Sequence, residues 1–263
     1  TRYIAAHGGG SNAFTAERNT QYYFDVLPNS LDGALDRFAQ FFIAPLFNAD
    51  LVDRERHAVD SEYKLRLQSD GWRIKTVNNI TANPKHPIVQ FNFGSLATLS
   101  DSKNKPPVRD ALIKFYNDYY SADRMILAVV APQSLTVLNS MVREYFSSVP
   151  KHPVKPNEIL DPAYTAKETG KQISIQTLGD YQQLGLNFPI PSQRNNYNSK
   201  SIDYILYQFQ QSGPKSLYQL LKSKNWITGI SVSNDDIVYN QDIAGISIGL
   251  TNKGMQHIDE IVQ

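Results

Sequence analysis

Residues 7–42 read HGGGSNAFTAERNTQYYFDVLPNSLDGALDRFAQFF, and their pattern changes period along the way. Gly8-Gly9-Gly10-Ser11 is a turn. Residues 12–15 read as extended, and TQYYFDV at 20–26, rich in aromatic and β-branched side chains, reads as a strand. Asn29, with Asp32 three residues on, resembles a capping box. Leu31, Leu35, Phe38, Phe41 and Phe42 then recur at helical spacing. Extended segments that feed directly into an amphipathic helix predict an α+β fold.

Working outward, a long helix is expected over about 50–80, with Ala58, Leu65 and Trp72 among its less polar positions and Asn83-Pro84 as its stop. Pro106-Pro107 opens another helix, with Val108, Leu112, Phe115 and Tyr119 on one side. MILAVV at 125–130 reads as a buried strand, and 134–146 as a helix. Prolines 150, 153, 156 and 162 mark the best linker in the chain. Beyond it, 172–177 alternates like a strand, and 181–188 is a second extended run that Pro189-Ile190-Pro191 should end. Residues 201–211 and 215–224 read as helices, and 243–250 as a strand. Thr251 then resembles an N-cap for a helix with Met255, Ile258, Ile261 and Val262 on its apolar side. That pattern reaches Gln263 without a stop signal, and the chain starts at Thr1. An excerpt from a longer polypeptide is therefore expected.

Composition excludes several functions. The 263 residues carry 26 Lys+Arg against 25 Asp+Glu, a net charge of +1, which gives no field for nucleic acid or an anionic membrane. At 41% hydrophobic and 11% aromatic, the chain can bury a core. No apolar run approaches the ~18 residues of a membrane span. The absence of cysteine removes disulfides, thiolate ligands and thiol nucleophiles; it leaves the compartment open.

The segment with most chemistry is DRERHAVDSE at 53–62. Glu55 and Glu62 are seven apart, which on a helix is about 700° of rotation, within roughly 20° of two full turns. Their carboxylates share a side, about 10 Å apart along the axis. One can reach a metal while the other orients a ligand; an ordinary solvated helix face has the same spacing. His7, His57 and His86 form no HxxxH pair, and His57 lies about 200° round the helix from Glu55. There is no GxSxG elbow. The glycines at 8–10 do not follow a strand and open a helix, so they make no phosphate loop.

Taken together, several stretches resemble one family. They are 7–26, LDGALDRFAQFFIAPLF (31–47), 53–62, DGWRI (70–74), NPKHP (83–87), VRDALIKFYNDYYSADRM (108–125), LKSKNW (221–226) and TNKGMQHIDEIV (251–262). They are similar to the insulin-degrading enzyme, nardilysin and pitrilysin group of inverzincin metallopeptidases. The resemblance runs through the chain in order. It implies two consecutive metallopeptidase-type αβ domains, each a mixed or antiparallel sheet packed by helices and each incomplete. Residues 1–155 would be the remainder of the catalytic domain, and 156–263 the front of a second, non-catalytic one. In this family two His of an HxxEH helix and a distal Glu hold Zn²⁺, and the Glu between the two His is the general base. Glu62 matches the distal ligand and Glu55 the upstream Glu that helps orient the site. The HxxEH helix would precede Thr1, so this segment alone is expected to hold zinc poorly and hydrolyse nothing. Asn12, Ala13 and Phe14 match an edge strand that pairs with extended substrate, and Thr15 would brace it. Trp72 matches an aromatic near the pocket, or is a core residue.

The second half departs from the family pattern. Where the family has His-Glu-Gly-x-Gly-Ser-Leu, this chain has Gln211-Ser212-Gly213-Pro214-Lys215-Ser216-Leu217, and Val232-Ser233 replaces a glycine pair. In the group this region is an exosite for the substrate's amino terminus, and without the acidic residue an α-ammonium loses a partner. The resemblance implies a zinc endopeptidase that acts on small or unstructured peptides in a closed chamber. Its partners would be peptide substrates and the remaining halves of the same polypeptide, with homo-oligomers left open and neither nucleic acid nor a membrane span involved. The alternative is a non-catalytic paralogue that binds peptides or partner proteins. The compartment would be periplasmic for a pitrilysin-like protein and cytosolic for one like the insulin-degrading enzyme.

Overall fold

The structure, a computed structural model, describes residues 2–16, 19–90, 93–103, 105–154, 161–238 and 240–263, with backbone alone at 236–238. The elements in chain order are α1 (Arg2–Ala6), β1 (Ser11–Thr15), β2 (Thr20–Phe24), α2 (Leu31–Ile43), α3 (Ala49–Leu67), α4 (Asp70–Ile80), α5 (Val108–Tyr119) and α6 (Leu135–Phe146). Then follow β3 (Gln183–Pro191), α7 (Ser201–Phe209), α8 (Leu217–Ser223), β4 (Ile227–Val238), β5 (Gln241–Leu250) and α9 (Ile258–Val262). Small antiparallel sheets packed by helices make the expected α+β class. Among the described residues no helix is long and apolar enough to cross a membrane. The chain divides into two compact units: Thr1–Tyr63 with Phe93–Asn157, and Lys64–Asn92 with Glu158–Gln263. The proline-rich linker and the boundary at 155/156 fall on residues 155–160, outside the described residues.

In the first unit, Gly8 at φ +73° turns the chain out of α1 into the β1–β2 hairpin. Gly9 lets two backbones meet, since a Cβ there would lie 1.9 Å from the Asp25 carbonyl oxygen. Helices α2 and α6 bury Leu31, Leu35 and Leu138 against one another, with Phe24, Val26, Met141 and Phe146 around them. Phe38 extends this cluster by edge-on contacts with Phe24, Phe42 and Phe146. The expected capping box is absent. Pro28–Ser30 forms a 3₁₀ turn, the N-cap of α2 is Ser30, and no side chain caps the helix. Asp32 instead accepts a hydrogen bond from the Tyr145 hydroxyl at 2.7 Å and pushes that phenol up to about 12. The strand expected at 125–130 also fails. It joins no ladder, and Ile126 and Val130 are 99% and 98% exposed. An apolar run becomes a strand only where another edge offers partners for its backbone groups.

In the second unit, β5 lies between β3 and β4, all antiparallel. Ala244, Ile246, Ile248 and Leu250 alternate along β5 into a core with Leu206, Leu221, Trp226, Ile227 and Ile261. Complete burial of a side chain such as Ile248 contributes about 1.5–3 kcal/mol. Residues 189–191 do not end β3 as expected; the strand continues through Pro191. The N–H groups of Leu250 and Ser192 donate to the carbonyls of Gln182 and Asn240, so even-numbered positions of this strand carry the ladder. Pro189 and Pro191 therefore turn their missing N–H toward the free edge, where no donor is needed.

Three further expectations are corrected. The helix over 50–80 is two helices, broken at 68–69. Ser69 is extended, and the Asp70 carboxylate accepts the backbone N–H of Leu178 and Gly179 at 2.8 and 3.0 Å instead of capping its own helix. Those two bonds hold the Asp70 carboxyl below the usual carboxylate range. Residues 172–177 form no strand. Thr251 does accept the Gly254 N–H at 2.9 Å, but this bond closes the turn that leads into a 3₁₀ turn, Gly254–Gln256, whose N-cap is Lys253, and α9 starts separately at Ile258. Two elements went unforeseen, α1 and β4; the latter is hidden in the polar run ISVSNDD.

Two outcomes follow for stability. A Cβ on Gly254 would lie 1.9 Å from the Trp226 carbonyl oxygen, whereas one on Gly213 would meet nothing within 4 Å. Gly254→Ala should cost about 1–3 kcal/mol in urea unfolding, and Gly213→Ala less than about 0.5 kcal/mol; equal midpoints would contradict the close approach. His86 is 1% exposed, and its Nδ1 accepts the Ile88 N–H at 3.1 Å. Burial pushes its pKa down, against a weaker upward pull from Asp161. The unfolded chain binds this proton near the ordinary value of 6.5, the folded one only at lower pH. This contribution is complete above the ordinary value and is lost as pH falls through the depressed one. His86→Asn keeps an oxygen acceptor for Ile88 and should flatten the thermal midpoint's dependence on pH in that window; an unchanged slope would show that His86 is not its source.

Candidate functional site

The first unit carries the paired glutamates and the candidate substrate strand. Both glutamates lie in α3, one unbroken helix, and both are exposed. Among the described residues neither carboxylate takes part in a hydrogen bond or an ion pair. Their neighbours pair with each other: Arg56 with Asp53 at 3.3 Å, and His57 with Asp53 at 3.9 Å. The reverse side of α3 is tied down through Asp60, which is 7% exposed and accepts the Leu96 N–H at 2.9 Å. Val59 packs beside it at Gly94, where a Cβ would come within 2.9 Å of the valine Cγ1.

Strand β1 is exposed along its whole length and, among the described residues, pairs with β2 alone. The Asp25 N–H donates to the Gly10 carbonyl at 3.0 Å, so Gly10, Asn12 and Phe14 are the positions bonded to β2. Ser11, Ala13 and Thr15 turn their backbone groups outward. The Ala13 N–H is held by the side-chain oxygen of Asn12 at 2.8 Å, and its carbonyl stays open to the edge. Phe14 is 48% exposed. Thr15 and Thr20 share a hydrogen bond between their hydroxyls at 3.2 Å, a brace across the hairpin.

The histidines are committed elsewhere. His7 bonds the Tyr3 carbonyl at 2.7 Å and stacks on its ring, and His86 is the buried cap already described. Among the described residues no three His, Cys, Asp or Glu side chains converge as a metal-binding set. A catalytic zinc takes three protein ligands and an open position. Glu62, an exposed carboxylate with no partner among the described residues, fits one of those ligand positions.

Trp72 belongs to the second unit. On α4 its ring is approached by two cations, the Arg66 guanidinium at 4.4 Å and the Lys75 ammonium at 5.3 Å. The positions that the resemblance assigns to an exosite are also in this unit. Gln211 is half-buried and Ser212 exposed, and the Ser212 carbonyl accepts from Gln219 at 3.0 Å. Lys215 has φ +67°, just ahead of Ser216, which caps α8. Val232 packs against the core and pairs with Ile246, while Ser233 is exposed and donates to Asp235 at 2.9 Å.

With this geometry in place, the likeness to known proteins is specific. Residues 1–85 match the family described as Insulinase (Peptidase family M16), and residues 107–263 match the Peptidase M16 inactive domain. The chain belongs to the M16 peptidase family. The insulin-degrading enzyme of Drosophila melanogaster is 38% identical over 266 residues, covering 100% of this chain and 27% of that protein. The human insulin-degrading enzyme is 35% identical over 264 residues, covering 100% of this chain and 26% of that protein. The crystal structure of pitrilysin superimposes with a TM-score of 0.90 at 33% identity, covering 99% of this chain and 28% of that one. The chain thus spans about a quarter of the length of the relatives it matches.

Sequence reasoning singled out the two glutamates and the edge strand but missed Asp60. Its partner amide is 36 residues away, a pairing that no local spacing displays.

Proposed function

We propose that this chain is part of a zinc metalloendopeptidase. Residues 1–155 would be the remainder of the catalytic domain and 156–263 the front of the second, non-catalytic domain. The observation that carries this reading is the presentation of Glu55 and Glu62 on one helix, exposed and unpaired among the described residues, in a chain of the M16 family.

Glu62 would supply one oxygen ligand to Zn²⁺, and Glu55 would orient the ligand set. When bound, the metal supplies Lewis-acid activation of water. The residues of this chain do the remaining work. The outward edge of β1 offers backbone groups to an extended peptide of almost any sequence, with Ala13 at the open position and Asn12 and Phe14 flanking it. Strand addition favours small or unstructured peptides, because a folded protein has few free backbone groups to give. Trp72 would line the approach to the pocket. With a single ligand to offer, the segment alone would be inactive.

Three variants of the full-length protein test this. Glu62→Gln should abolish zinc retention, read by metal analysis after gel filtration; a normal zinc content would refute the ligand role. Glu55→Gln should lower turnover with much less metal loss, and zinc loss as severe as in Glu62→Gln would contradict an orienting role. At the altered exosite, Ser212→Glu should tighten binding of peptides with a free amino terminus more than that of acetylated ones. Equal effects on both would rule out an amino-terminal anchor there.

A further inference from the structure

Helix α3 is highly charged, and Asp60 is its only buried residue. An apolar face usually fixes a helix's rotation and its slide along the axis; here the packed side is a half-buried stripe of Val52, Arg56, Val59 and Tyr63, to which the buried Asp60 carboxylate adds a directional bond. Asp60 stands about 200° round the helix from Glu62 and two residues before it, so it holds the side opposite the exposed glutamates.

The amide that Asp60 accepts is itself rigidly presented. Residues 95–99 form a helical turn in which the Leu99 N–H donates to the Ser95 carbonyl at 2.8 Å. Ser95 and Thr98 cap each other: the Thr98 N–H donates to the Ser95 hydroxyl at 3.2 Å, and the Ser95 N–H to the Thr98 hydroxyl at 2.9 Å. Gly94 lets this turn close on α3, because a Cβ there would press on Val59 and Leu99. The 2.9 Å bond from Leu96 to Asp60 is therefore a fixed point between two ordered elements.

The magnitudes give this tie a functional meaning. A side-chain carboxylate rides about 5–6 Å from the helix axis, so a 20° rotation moves it by about 2 Å. Metal–ligand distances tolerate only about 0.2 Å. A solvated helix face could drift that far at little cost, but a metal ligand could not.

We propose that Asp60 is a positioning residue for Glu62: it holds α3 at the rotation that presents the glutamate to the metal. The inference rests on the reading of Glu62 as a zinc ligand.

The test measures zinc affinity in the full-length protein, by competition with a chromophoric chelator, well below each variant's unfolding midpoint. D60A removes the acceptor and should weaken zinc by at least about tenfold. D60N keeps an acceptor oxygen and should stay near the parent. L96P deletes the Leu96 donor at the first position of its turn, where proline is tolerated, and should weaken zinc in the same direction as D60A; it decides the matter if D60A fails to fold. E62Q is the control. If E62Q weakens zinc while D60A and L96P only lower the midpoint of the metal-free protein, Asp60 is merely structural and the inference is overturned. If E62Q itself leaves zinc affinity unchanged, the ligand reading fails, and this inference falls with it.

Discussion

The hydrogen bond from the Leu96 amide to the buried Asp60 carboxylate is the constraint on which the presentation of the candidate site depends. Elsewhere in the first unit, apolar packing locates the elements: Leu35 of α2 and Leu138 of α6 share one buried cluster. Helix α3 packs only through a half-buried stripe, Val52, Arg56, Val59 and Tyr63, with Asp60 as its one buried residue. Losing a donor to a buried carboxylate costs more than an ordinary hydrogen bond contributes, so the Leu96 bond penalises rotations that break it. A helix held on one side by a narrow stripe and a directional bond keeps its other side exposed, and on α3 that side carries Glu55 and Glu62.

The second unit solves the corresponding problem with area. Strand β5 lies between two partners, and a one-residue slip would carry Ala244, Ile246, Ile248 and Leu250 from the core to the other face. Register is thus set by hydrophobic alternation, which local sequence displays well, and β5 was legible for that reason. So were α2, α5, α6, α7 and α8, whose apolar residues recur at helical spacing. Strand β4 was not, because ISVSNDD pairs along β5 through backbone bonds while alternating only weakly in hydrophobicity. The missed break at 68–69 and the misread prolines of β3 have one cause. In both, a residue's role depends on distant backbone, the 178–179 amides in one case and the identity of the free edge in the other.

The same division applies to the site. The spacing of Glu55 and Glu62 is a local property of a helix, so the sequence disclosed their shared side before any fold was known. The resemblance to a family then gave that spacing a chemical meaning, and membership of the M16 family agrees with it. The outward role of Ala13 needed the hairpin register, because only the partner strand decides which backbone groups of β1 remain open. Asp60 needed a contact spanning 36 residues. In the sequence it is one acid among several in a charged run, and only its burial separates it from the others.

Val232 and Ser233 show how backbone and side-chain chemistry come apart on one strand. Both pair in register with β5, Val232 with Ile246 and Ser233 with Gly245. The valine side chain is absorbed by the core, and the serine hydroxyl is spent on Asp235. Gly245 is what admits the serine, since a Cβ there would lie 2.7 Å from its hydroxyl. The strand therefore keeps its pairing while both side chains are accommodated. Gln211, Ser212 and Lys215 bring no carboxylate, and Lys215 adds a positive charge. A peptide's ammonium group would meet a region with no negative partner among these positions. Any grip on substrate there would fall to backbone hydrogen bonds, which respond to an extended conformation and are indifferent to the charge at the peptide's end.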